Sequence, residues 1–254
     1  MPRLNVQNIT VSGTAHIDPV AIEHYAREYL YDGARQILSK SNIFLYRPKV
    51  LAARIEDDFP RAKSAHVEKT SLFATTVEIQ IEERQSFAKW CEESTVSVTL
   101  ASSTPEMDCF VLDETGFIFD TYDPTREEVF TSDYSFAGGI QRAAGASSPI
   151  GSTFAPSHFD GMLALLTLLR ENGFASLGAT VVSDDDFAIA LEAGFFLKAS
   201  FGANAETLAR NLVLVLQSEH LRDRQGELEY VDLRFGNRVY FKIKGAQSSE
   251  LGVQ

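Results

Sequence analysis

Cysteine is nearly missing from this 254-residue chain, with Cys91 and Cys109 the only two. That excludes a small disulfide-stapled scaffold. The five histidines (His16, His24, His66, His158 and His220) are scattered, with no metal-ligand spacing between any two, so a zinc site of the usual kind has no donors. Long hydrophobic runs are missing too. The richest, residues 161–169, is about half of the roughly 20 residues that a spanning helix needs. Basic charge is in deficit, with 23 Lys and Arg against 35 Asp and Glu and a net charge of −12. Such a surface repels phosphate backbones and argues against broad nucleic-acid binding. No signal peptide and no basic N-terminal region is visible. The P-loop, the dinucleotide-binding glycine fingerprint, the nucleophile-elbow pentapeptide and the metalloprotease helix are all wanting. The expectation is therefore a non-enzymatic binding protein with no cofactor, no bound metal and no catalytic residue.

What is there begins at the C-terminal end. Residues 228–235 and 238–244 read as two strands joined at Gly236-Asn237, a strong two-residue hairpin signal because both central positions can require positive φ. In the second strand Val239, Phe241 and Ile243 alternate with Arg238, Tyr240, Lys242 and Lys244, giving an apolar side and a basic side. A last strand has no later strand to pair with, so it is expected at a sheet edge with backbone groups open to another chain. Lysines on an edge also have a plainer use, since they deter aggregation.

The first third reads β-α-α-β-β. Val6, Ile9 and Val11 belong to a strand ending at Gly13, and Asp18-Pro19 starts a helix that buries Ile22, Tyr25, Ala26, Tyr29 and Leu30. Arg47-Pro48 opens a second helix carrying Leu51, Ile55 and Phe59, which Pro60 stops. Residues 66–69 form a short strand, and Val77, Ile79 and Ile81 alternate with charged positions in another. Strands at 87–91 and 110–119, the latter broken by a turn at 113–116, open a second, strand-rich block with two helices. Residues 120–156 are rich in Gly, Ser, Ala, Thr and Asp and lose periodicity, as a long functional or poorly ordered loop would. Ser157 and Asn204 are the expected caps of its two helices, and strands are expected at 179–182, 187–191 and 195–201. The fold class expected is α+β, with domains at 1–83 and 84–245, the second ending in the hairpin edge strand, and a polar tail at 246–254.

Other features have a bland and a sharp reading. Cys91 and Cys109, each beside an aromatic residue, are either a disulfide or two buried thiols. Asp184, Asp185 and Asp186 would suit a hard cation but lack the glycine and distal glutamate of a calcium loop, and a solvated turn is the plainer account. Glu82-Glu83-Arg84 is a buried charge cluster or, more simply, the exposed end of a strand. His158 beside a helix start reads as a solvated imidazole. The Asn8-Ile9-Thr10 sequon sits in a strand, which argues against glycosylation.

Several segments, in order, resemble the FtsQ/DivIB family of bacterial division proteins. Val11-Ser12-Gly13, Asn42-Ile43-Phe44-Leu45, Phe59-Pro60 and Ala65-His66-Val67-Glu68-Lys69 resemble a POTRA domain. Val77 through Arg84, Phe87-Ala88-Lys89-Trp90, Val111 through Phe119, Leu191-Glu192-Ala193-Gly194 and Tyr230-Val231-Asp232-Leu233-Arg234-Phe235 resemble the remainder of the family pattern. The proline usual after the family's glutamate-arginine pair is replaced by Gln85-Ser86, and the 120–156 stretch is longer than the family pattern. The resemblance implies a divisome scaffold that helps control septal peptidoglycan synthesis and binds FtsB/FtsL-like partners. It implies a membrane anchor upstream of Met1 and this part on the extracytoplasmic face. By the same resemblance a partner strand adds to the last strand, Arg234 pairs with an acidic partner residue, Phe235 supplies apolar contact, and Val239, Tyr240 and Phe241 lie in the docking strand. The competing readings are a POTRA-bearing module of outer-membrane protein assembly or secretion, and a hydrolase using the 184–186 turn or His158.

Overall fold

Alternation at the front of the chain and helical spacing after it produce a three-stranded sheet carrying two helices. The computed structural model describes residues 5–31, 42, 46–71, 73–92, 108–140, 142, 147–245 and 249–252, and the Ile43-Phe44-Leu45 part of the resemblance lies outside them. The chain divides into two units, Met1–Gln85 and Ser86–Gln254. The α+β class is correct, with four α-helices among the described residues.

In the first unit the elements are β1 (Asn8–Ser12), α1 (Pro19–Tyr31), α2 (Pro48–Asp58), β2 (Ala62–Lys69) and β3 (Thr76–Glu83). The sheet order is β1-β3-β2, with β1 parallel and β2 antiparallel to the central β3. Both predicted proline starts hold. Pro19 and Pro48 open their helices, where a missing N–H costs nothing. Ile22, Ala26 and Leu30 of α1 and Leu51 and Ile55 of α2 are buried against Val77, Ile79 and Ile81. Tyr25 packs edge-to-face on Phe59 at 5.5 Å. Gly13 has φ +82, and a Cβ there would stand 2.1 Å from the Ile81 carbonyl oxygen, so only glycine lets the chain leave β1 this close to β3.

The second unit contains β4 (Ala88–Cys91), β5 (Cys109–Leu112), β6 (Ile118–Thr121), β7 (Ser135–Ala137), α3 (Phe159–Glu171), β8 (Ser176–Val181), β9 (Asp186–Leu191) and β10 (Phe196–Ser200). It continues with α4 (Ala205–Gln217), β11 (Leu228–Phe235), β12 (Arg238–Ile243) and β13 (Ser249–Gly252). These strands form one sheet in the order β13-β12-β11-β10-β9-β8-β7-β4-β5-β6. Two β-α-β crossovers organise it. β7 and β8 are parallel around α3, and β10 and β11 are parallel around α4. The two crossovers step the same way along the sheet from strands of the same direction, so a common handedness puts both helices on one face. One core contains Phe159, Met162 and Leu166 of α3 with Leu212 and Leu216 of α4, and Ile189, Leu197, Val231 and Phe241 of the strands.

Three expectations change here. Residues 120–156 are not simply a loop, because β7 lies inside them and pairs in parallel with β4 on one side and β8 on the other. Trp90, 2% exposed, donates its indole N–H to the Gly138 carbonyl at 2.9 Å and fastens β4 to the end of β7. Gly178 of β8 has φ +151, and a Cβ there would lie 1.8 Å from the Ser135 carbonyl oxygen, so this close approach of β8 to β7 requires glycine. Second, Ser157 does not cap α3. It has φ +70, and the helix begins after His158 without a side-chain cap, whereas Asn204 caps α4 as expected by accepting from the Thr207 N–H at 2.8 Å. Third, the 246–254 tail is not merely polar trailing chain, because β13 forms within it.

Candidate protein-binding end of the long sheet

The β11–β12 hairpin forms where the sequence places it, with Gly236-Asn237 between the paired residues Phe235 and Arg238. Only Gly236 takes positive φ (+67), so the turn asks for glycine at its first central position alone. Val231, Leu233, Val239 and Phe241 point into the core, where the helices back the hairpin. Asn211 of α4, 7% exposed, donates its side-chain amide to the Gly236 carbonyl at 3.4 Å.

The expectation that β12 is the edge strand is overturned. β13 pairs antiparallel along it, with Arg238 opposite Gly252, Val239 opposite Leu251, Tyr240 opposite Glu250 and Phe241 opposite Ser249. β12 is thus flanked by β11 and β13, and the margin of the sheet is β13. The inference from chain order failed because the chain continues past β12 and β13 supplies the neighbour.

The five residues singled out for partner binding fall into different environments. Val239 and Phe241 are core residues, 0% and 5% exposed, in a strand that is paired on both sides. Tyr240 is half-buried and Phe235 is 51% exposed, and their rings meet edge-to-face at 5.1 Å on the surface. Arg234 is already engaged within the chain. Its Nε and Nη2 donate to the two carboxylate oxygens of Asp232 at 2.8 and 2.7 Å, and Nη1 donates to Asp186 at 2.7 Å. Its guanidinium also lies 5.5 Å from the Phe235 ring centre. These hydrogen bonds to Asp232 and then Asp186 push the Arg234 pKa up. The Ser200 hydroxyl and then Arg234 hold the Asp186 carboxyl below the usual carboxylate range. The implied role of Arg234 as a cation awaiting an acidic partner does not fit this geometry, in which it ties β11 to β9.

The rest of this polar face continues the pattern. Lys242 donates to Glu229 at 2.9 Å, which raises its pKa, and the Lys198 ammonium sits 3.8 Å from the centre of the Tyr230 ring. The face therefore presents aromatic rings bordered by satisfied charges, a composition suited to protein contact.

The alternative sites are less assembled. The 184–186 turn is closed by Ser183, whose hydroxyl accepts from the N–H groups of Asp185 and Asp186, and no cluster of metal-ligating groups is present among the described residues. His158 is exposed and stacks on Phe201, ring centres 4.4 Å apart, in a cleft of about 390 Å³ shared with Ser183 and Asp184. Among the described residues no hydrogen bond links His158 to Ser157, Ser183 or Asp184, so no charge-relay geometry is formed. Ala155, which lines this cleft, and Ser157 both hold positive φ.

Two features the sequence left open or misjudged are now specific. Cys91 and Cys109 are cross-strand neighbours in β4 and β5 and form a disulfide, Cα atoms 4.1 Å apart. Glu83 is not an exposed strand end. It is 8% exposed and accepts from the backbone N–H groups of Ala15, His16 and Ile17 at 2.7 to 3.1 Å. No protein-family model matches this chain, and no curated protein matches it in sequence.

Proposed function

We propose that the chain is a non-enzymatic scaffold of the bacterial division machinery, of the FtsQ/DivIB type, acting on the extracytoplasmic face of the cell membrane. Its first unit, ordered β-α-α-β-β, is read as a POTRA domain. Its second captures an extended FtsB/FtsL-like segment at the β11–β13 end of the long sheet and so helps control septal peptidoglycan synthesis. The observation that carries the reading is the edge-to-face pair of exposed Phe235 and half-buried Tyr240 on the hairpin at that end of the sheet. β-Augmentation takes affinity from main-chain bonds and specificity from such neighbouring side chains. The Cys91–Cys109 bond supports an oxidising compartment, where disulfides persist.

Each added backbone bond nets about 0.5–1.5 kcal/mol and association itself costs several, so aromatic anchors must contribute. The test is calorimetric titration of the chain with the FtsB-like segment encoded by the same genome. Binding is expected, and Phe235→Ala and Tyr240→Ala should each weaken it by roughly 1–2 kcal/mol with an unchanged melting temperature. Absence of binding by the folded chain retires the reading.

A further inference from the structure

We infer that β13 is a resident placeholder, an internal strand that occupies the β12 margin and is displaced when a partner segment docks. The inference rests on the proposal that partners dock at this end of the sheet.

The seated strand is a poor one. It has four residues, Ser249, Glu250, Leu251 and Gly252, none of them β-branched or aromatic, and Glu and Gly are disfavoured in strands. Each pairs with one residue of β12. β12 is longer, running to Ile243, and the ladder with β13 stops at Phe241. A partner added outside β13 would find four residues to pair with. A partner replacing β13 would find six and would lie beside the Tyr240 and Phe235 rings. Val239 and Phe241 belong to the core cluster that they share with residues of α3 and α4.

Local attachment, not intrinsic strength, explains why so weak a strand is seated at all. Residues 244–248 separate β12 from β13, and a tether this short gives an effective concentration of about millimolar or higher. An incoming peptide competes against that concentration, so its apparent affinity falls by the fraction of time the margin is vacant.

The resident strand also reports what the margin accepts. Opposite residues of an antiparallel pair share a face. In register, Leu251 stands opposite Val239 and Glu250 stands opposite Tyr240. The displacing partner is therefore an extended protein segment with alternating acidic and apolar residues and β-branched side chains where β13 has none.

The test compares three proteins: the full chain, the chain ending at Gly245, and the full chain with Glu250→Pro and Leu251→Pro. Adjacent N–H groups of a strand point to opposite sides, so the double substitution removes the donor facing β12 whichever of the two it is. The probe is a fluorescein-labelled synthetic peptide of residues 247–254 carrying S249V and G252V, followed by anisotropy. The shortened chain and the double-proline chain should each bind it at least about ten-fold tighter than the full chain, a difference of about 1.4 kcal/mol. Placing S249V and G252V in the full chain itself should weaken capture further. Equal affinity for all three proteins, or no binding to the shortened chain, overturns the inference. Loss of fold, by circular dichroism, in both the shortened and the double-proline chains overturns it as well, since β13 would then be structural. The two proposals fail separately. Peptide capture gated by β13 with no capture of the FtsB-like segment leaves the placeholder and retires the division reading. Equal capture of that segment by the full and shortened chains does the reverse.

Discussion

Two carboxylates decide more than their sequence context announces. Glu83 closes β3 by gathering the N–H groups of Ala15, His16 and Ile17, donors between β1 and α1 that would otherwise need other partners. Burial opposes its ionisation, yet the backbone donors outweigh burial and hold its pKa below 4.5. A carboxyl depressed in the folded state contributes stability that is fully present above about pH 4.5 and is lost as pH falls through its folded value. Glu83→Gln should therefore destabilise the first unit by roughly 1.5–3 kcal/mol at neutral pH and flatten its acid limb, as read by urea denaturation between pH 6 and 3. Asp232 is the second. It is 5% exposed and balanced by the forked grip of Arg234. Arg234→Ala leaves that carboxylate buried without its partner and should cost roughly 3 kcal/mol, with Arg234→Lys recovering only part, because an ammonium lacks the fork. A scan that reads Arg234→Ala only as lost partner binding would mistake a folding defect for an interface residue, so its melting temperature is the discriminating measurement. None of this was legible beforehand. The donors to Glu83 lie 66 to 68 residues away, and nothing local to Glu82-Glu83-Arg84 signals them.

Elements whose boundaries are written locally were readable. Pro19, Pro48 and Asn204 act within one helical turn of themselves, and each starts its helix as expected. Asn204→Ala should accordingly cost about 1 kcal/mol, measured by denaturation of the second unit. Strands made by their neighbours were not readable. β7 is three residues in a glycine- and serine-rich stretch, and its identity comes from β4 and β8 on either side. β13 contains no β-branched or aromatic residue and owes its identity to its pairing with β12. Ser157 looked like a cap because capping chemistry is local, but the chain enters α3 through the positive-φ residues Ala155 and Ser157, a geometry that tertiary packing imposes. Gly178→Ala tests the same point from the opposite side. It should destabilise the second unit strongly, since the displaced atom is the Ser135 carbonyl oxygen and cannot rotate away.

At the scale of the molecule, two separate units each own a core. The Cys91–Cys109 bond lies wholly in the second, closing a loop of 18 residues' separation. Reduction should lower the stability of that unit by about 3 kcal/mol and leave the first unchanged, so calorimetry with and without reductant should move one transition only. The division into a β-α-α-β-β unit and a strand-rich unit was visible in the order of patterns along the chain. The single continuous sheet of the second unit was not, because it depends on pairings between distant segments.

That sheet is only as continuous as its shortest strand. β7 alone joins the three strands β4, β5 and β6 to the six strands from β8 to β13. Tension transmitted along the sheet from one flank to the other therefore concentrates on the ladder of three residues, 135–137. Pulled apart at its two flanks, the sheet would part there first. Optical-trap pulling between handles at residues 120 and 243 should register a low-force intermediate in which both flanks remain folded and the seam has opened.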